Sequence, residues 1–178
     1  MEIIEDPTER IKENITHEAV HKSNEKNIML YAITSAFYAI LTATTGLLAG
    51  YYSNEAMIEQ IKASDQWAYY QSKSIKMNIA ESKLEILKSL KLKTDESTLH
   101  KVENYKLELA SISSDAKEKE SNSKLFLKKH VQFAKSVTLF QVAIGMTAFA
   151  ILTRKRIFWY ISMAFAFGGL YFFGLGLF

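Results

Sequence analysis

At 178 residues the chain has the length of one soluble domain, yet its hydrophobic residues (48%) are gathered into blocks rather than spread as a soluble core requires. A formal net charge of +3 is too small, and too evenly distributed, to suggest a nucleic-acid binder. The absence of cysteine excludes disulfides, thiolate catalysis and cysteine-ligated zinc.

Three blocks hold the apolar residues: 28–52, 137–153 and 157–178, none of which contains a charge. A helix of about 20 apolar residues, range about 17 to 25, crosses about 30 Å of hydrocarbon, so each block is expected to span a membrane. From Tyr51 to Ile144 there is neither glycine nor proline, and the sole proline is Pro7. Nothing between the first two blocks punctuates a helix.

Residues 1–27 carry seven acids against four bases. Asp6 is placed as N-cap, Pro7 at the first helical position and Glu9 to complete a capping box. This predicts a short amphipathic helix with a thin apolar stripe of Ile11, Ile15 and Ala19. Charge is dense where the apolar core of a cleavable signal peptide would sit, so the first span is expected to act as the insertion signal. His17 to His21 reads HEAVH, a literal HExxH. On a helix it sets His17 and His21 one turn apart on one face, the pairing that takes zinc, with Glu18 able to act as general base. A catalytic zinc needs a third protein ligand, however, and His100 and His130 fall across the membrane in the topology given below. The readings weighed are a solvated helix with incidental histidines, a metal or proton-sensing pair, and a metallopeptidase, in that order.

In the first span Tyr31, Ser35, Tyr38, Thr42, Thr45, Ala49 and Tyr52 recur at three- and four-residue steps, making one small, hydroxyl-bearing face. Gly46 and Gly50 form a GxxxG beside it. In lipid, helices associate through close packing of small residues and interhelical hydrogen bonds, so this face is expected to meet protein, the alternative being a polar pore. The second span repeats the theme with Thr138, Gln141, Gly145 and Ala148.

Residues 53–136 form the extramembrane region, polar and helical in composition, with acid and base pairs at helical spacing such as Glu59 with Lys62 and Glu120 with Lys124. A turn is expected at Lys93 to Ser97, capped by Thr94 or Asp95, giving two antiparallel arms. The first arm beats at 3.5 residues on Ile61, Asp65, Ala68, Ser72, Ile75, Ile79, Ser82 and Ile86. The second beats on Leu99, Val102, Leu109, Ser113, Ala116, Ser123, Leu127 and Ala134. Both seams are thin, so further copies of the chain are expected to supplement them. The string SDQWAYYQ, Ser64 to Gln71, gathers Asp65, Gln66, Trp67, Tyr70 and Gln71 into a candidate oligomer or partner interface, to which Gln141 in the second span is added. A ligand site is the alternative there.

Arg154, Lys155 and Arg156 form a tight basic turn between the second and third spans. The positive-inside rule places that turn, and with it the N-terminus, in the cytoplasm, and the hairpin outside. Gly168, Gly169, Gly174 and Gly176 give the third span a smooth surface suited to close helix contact. No span carries a charge, which argues against an ion carrier built on intramembrane acids.

The strings SNEAMIEQIKASDQWAYYQSKSIK, Ser53 to Lys76, and VTLFQVAIGMTAFAILTRKRIFWYISM, Val137 to Met163, resemble the bacterial membrane-protein family named domain of unknown function four-three-three-seven. The resemblance covers nearly the whole chain and implies a bacterial membrane protein. It brings no activity and no catalytic residue with it.

The expected fold is thus an all-α membrane protein. It has three transmembrane helices (28–52, 137–153, 157–178), a long coiled-coil-like hairpin (53–136), a short N-terminal helix (1–27) and a basic turn (154–156). The favoured function is a non-enzymatic, homo-oligomeric scaffold or adaptor of the bacterial inner membrane whose hairpin presents an interaction surface. The alternatives are an oligomeric channel or transport accessory, with Ser35, Tyr38, Thr42 and Thr45 facing a path, and a metal or metallopeptidase site at HEAVH. The expected partners are membrane lipid, further copies of the chain and an unidentified membrane or periplasmic protein. No cofactor is expected beyond the zinc that His17 and His21 would take.

Overall fold

A computed structural model describes the backbone of residues 7–93 and 96–178 and the side chains of 25–93 and 96–178. These residues form three helices: α1 (Pro7–Ser89), α2 (Glu96–Thr153) and α3 (Arg156–Leu177). All three are long and apolar enough to cross a membrane. Pro7 opens α1, where its missing N–H costs nothing and its fixed φ suits the helix. Asp6 and the side chains of Ile11, Ile15 and Ala19 lie outside the described residues.

The short N-terminal helix expected from the sequence is not a separate element, because α1 continues through it without a break. Polarity changes sharply near residue 28, but a change in polarity does not end a helix. A backbone breaker does, and none stands there.

The helix ends have their own chemistry. At the end of α1 the Leu92 N–H donates to the Leu87 carbonyl (3.0 Å) and the Lys91 N–H to the Lys88 carbonyl (3.1 Å). This is a Schellman closure, with Lys91 in the left-handed region (φ 55) where glycine is usual. The turn therefore begins a few residues before Lys93, and Thr94 and Asp95, the expected caps, lie outside the described residues. Between α2 and α3 only Arg154 (φ 54) and extended Lys155 intervene, so the basic turn is shorter by one residue than expected.

The chain divides into two compact units, Met1–Ala49 with Val131–Phe178, and Gly50–His130. In the first, Tyr38, Phe140, Ala143 and Ala166 make the core, flanked by Leu41, Ile144 and Phe165. Glycine lets α3 lie close on α2. A Cβ at Gly169 would stand 2.7 Å from the Phe140 ring, and one at Gly176 would stand 2.9 Å from Phe133. The Ser136 hydroxyl donates to the Gly169 carbonyl across the same contact, at 2.8 Å. Trp159 on α3 lies against Tyr31 (ring centroids 5.9 Å) and donates its indole N–H to Thr34 Oγ1.

The second unit is the helical hairpin. Its arms meet on small residues: Ala63 and Ala116 are fully buried, and Ala56 and Ser123 nearly so. The spacing is heptad on both arms, Ala56, Ala63 and Leu84 on α1 sharing one position and Val102, Leu109, Ala116 and Ser123 on α2 another. The beat expected for the second arm holds at Val102, Leu109, Ala116 and Ser123, although Leu99 and Leu127 are exposed. The beat expected for the first arm is corrected. Ile61, Asp65, Ala68, Ser72, Ile75, Ile79, Ser82 and Ile86 are all exposed. The arms approach where α1 offers alanine, because only a small side chain admits the neighbouring backbone so closely, and the isoleucines are left facing outward.

Candidate functional site

The two faces of the first arm differ in kind. Its inner face is filled by polar side chains tied to the second arm in opposite chain order, as an antiparallel pair requires. The Ser123 hydroxyl donates to the Ala56 carbonyl at 2.8 Å, which is within reach because both positions are small. Glu59 is buried, and its carboxylate accepts a hydrogen bond from Lys62 Nζ (2.6 Å) and lies 3.7 Å from Lys119 Nζ. The Lys62 hydrogen bond is the main cause that lowers the Glu59 pKa. Burial works against it and the Lys119 charge assists it.

Further along, Trp67 donates its indole N–H to Glu120 Oε1 at 2.9 Å, with the Tyr70 ring edge-on to it at 5.6 Å. Lys73 then pairs with Glu108 at 2.5 Å while its ammonium lies over the rings of Tyr69 (5.5 Å) and Tyr105 (5.4 Å). The hydrogen bond to Glu108 holds the Lys73 pKa above its ordinary value, against the effect of burial. Glu81 pairs with Lys106 at 3.0 Å. The polar groups of this face are thus largely consumed within the hairpin.

The outer face is different. Every isoleucine of the arm (Ile58, Ile61, Ile75, Ile79 and Ile86) is exposed, at 43 to 65% of full accessibility. A groove of about 510 Å³, lined by Ile79, Ser82, Lys83, Ile86 and Leu87, opens along its far end. Asp65 is the one acid on this stripe, and it is exposed.

The SDQWAYYQ residues are therefore divided between two faces. Trp67 and Tyr70 turn half-buried toward the second arm, Gln66 is half-buried, and Asp65 and Gln71 face out. Gln141 is exposed in the other unit. On the hydroxyl stripe Tyr38 and Thr45 are buried and Ser35 and Thr42 half-buried. The Thr42 hydroxyl donates to the Tyr38 carbonyl (2.7 Å) and that of Thr45 to the Leu41 carbonyl (2.6 Å), so both turn back on their own helix. A Cβ at Gly46 would meet Val137 at 4.0 Å, while one at Gly50 would meet nothing. The side chains of His17, Glu18 and His21 lie outside the described residues. Among the described residues no three His, Asp or Glu side chains are grouped as a metal site.

Glu59, expected from its spacing with Lys62 to belong to a solvated surface, is buried instead, and nothing in the sequence marks Lys73, Tyr105 or Glu108. A usable signal exists in small residues seven apart on each arm, Ala56 with Ala63 and Ala116 with Ser123, which mark where the arms come closest.

The model of a family described as Domain of unknown function (DUF4337) covers residues 27–178. No curated protein and no solved structure matches the chain.

Proposed function

Since the chain belongs to the DUF4337 family, whose description assigns no activity, we propose its role from its own geometry: a non-enzymatic, homo-oligomeric membrane scaffold or adaptor whose hairpin presents a docking face. The observation that carries this reading is the outer stripe of exposed isoleucines at coiled-coil spacing, on an arm whose inner face is largely paired within the hairpin. Three helices long and apolar enough to cross a membrane support an integral location. The basic residues Arg154, Lys155 and Arg156 support a cytoplasmic turn, which puts the hairpin on the opposite side of a bacterial inner membrane. The channel reading has less behind it, because the Thr42 and Thr45 hydroxyls are spent on their own helix.

The test is fractionation followed by mass. The full chain is expected to remain in membranes after an alkaline wash. Light scattering in detergent, corrected for bound detergent, is expected to give a whole multiple of 20.3 kDa greater than one. Release by the wash would remove the membrane part of the reading, and a mass of 20.3 kDa would remove the assembly.

A further inference from the structure

In a two-stranded coil each helix has one apolar seam, and the far side is solvated. The first arm of the hairpin has two seams. The inner one runs through Ala56, Ala63 and Leu84. The outer one lies two residues further on, about 200° round the helix at about 100° per residue, and is therefore on the far side. It keeps heptad spacing from Ile58 to Ile86, with Ile58, Asp65, Ser72, Ile79 and Ile86 on one position and Ile61, Ala68, Ile75 and Ser82 on the other. All nine are exposed. A polar far side would need no isoleucine, and this arm puts all of its isoleucines there.

We propose that a second copy of this chain covers the outer seam, the two first arms lying parallel and in register. The flanks of the seam supply the choice of occupant and direction. One flank carries Lys62, Tyr69, Lys76 and Lys83, and the other carries Ser64, Gln71, Asn78 and Glu85, one acid and no base. In a parallel pair each basic flank lies against the base-free flank of the other copy, so Lys76 meets Gln71 and Lys83 meets Asn78. An antiparallel pair would set lysines against lysines. The same lysines make hydrocarbon an unsuitable cover for this face. Asp65 sits in the seam as the polar layer. In register the two carboxylates share one hydrated layer beside the small Ala68 and Ser72, whereas a slip of one heptad would lay one of them against Ile58, so this layer favours the register at some cost in affinity.

The parallel direction rests on the membrane reading above, since copies rooted in one bilayer point the same way. The absence of cysteine makes the test direct. Single variants Ile79→Cys and Asn104→Cys, both at exposed positions, are made in the full chain and oxidised in membranes. Facing heptad positions lie close enough for a disulfide, so Ile79→Cys is expected to give about ten-fold more covalent dimer than Asn104→Cys, which lies outside the seam. Asp65→Ile is expected to raise the dimer fraction further, and a fall would overturn the in-register layer. If light scattering gives an oligomer but Ile79→Cys gives no self-dimer, or crosslinks only to another protein, this pairing is wrong and the scaffold reading stands. A monomeric wild-type chain overturns both.

Discussion

The indole of Trp67 and the carboxylate of Glu120, 53 residues apart in sequence, are joined by a 2.9 Å hydrogen bond that ties the first arm of the hairpin to the second. Its acceptor is charged and its donor half-buried, so the bond contributes more than a neutral surface pair. Trp67→Phe is expected to destabilise the hairpin by about 1 to 2 kcal/mol, and Glu120→Ala by a similar amount. The double variant is expected to cost clearly less than the sum of the two, as read from unfolding midpoints by circular dichroism. Strict additivity would mean that the bond contributes nothing.

Glu59 makes the hairpin sensitive to acid. Its pKa is held below the ordinary 4.5 by the Lys62 hydrogen bond, so its stabilisation is present above that value and is lost as pH falls through the lower, folded value. The unfolding midpoint of the hairpin is expected to drop once pH is taken below 4.5, and Glu59→Gln is expected to flatten that part of the curve. An identical acid limb in the variant would assign the effect to other carboxylates.

Gly169 sets the distance between α2 and α3. With a Cβ 2.7 Å from the Phe140 ring, Gly169→Ala must push the ring or the helix away, at about 1 to 3 kcal/mol. Gly174→Ala, where a Cβ would meet nothing within 4 Å, is the matched control and is expected to be neutral or slightly stabilising. Equal losses in the two variants, measured by thermal stability in detergent, would contradict the packing described here.

Lys91 closes α1 with φ 55, a conformation that costs an L residue about 1 to 2 kcal/mol. Lys91→Gly relieves that strain and gives back part of it as extra freedom of the unfolded chain. The expected net effect is a gain of up to about 1 kcal/mol in hairpin stability, seen as a higher unfolding midpoint. A loss would mean that the lysine side chain itself is needed at the turn.

Much of the architecture is legible in the sequence, and what is not fails for definite reasons. The three uncharged blocks announce themselves, because few soluble helices run so long without a charge. Composition changes near residue 28 and suggests a separate N-terminal helix, but no residue there interrupts the backbone. The strongest apolar beat of the first arm suggests its seam, but the arms meet at Ala56 and Ala63, where what decides is how closely two backbones can approach. The beat itself is real and faces the other way. The aromatic cluster marks Trp67 as an interface residue, yet its partner Glu120 depends on the register of the two arms, which no local pattern around the tryptophan specifies.

Lys73, enclosed by Tyr69, Tyr105 and Glu108 with 17% of its side chain accessible, is chemically unlike the exposed lysines around it. An amine-reactive reagent would modify it only when the arms separate, since the nucleophile is the free amine and the hydrogen bond to Glu108 keeps the proton on. Its labelling rate, relative to that of exposed Lys76 on the next turn, is therefore a native clock for hairpin opening that needs no engineered probe.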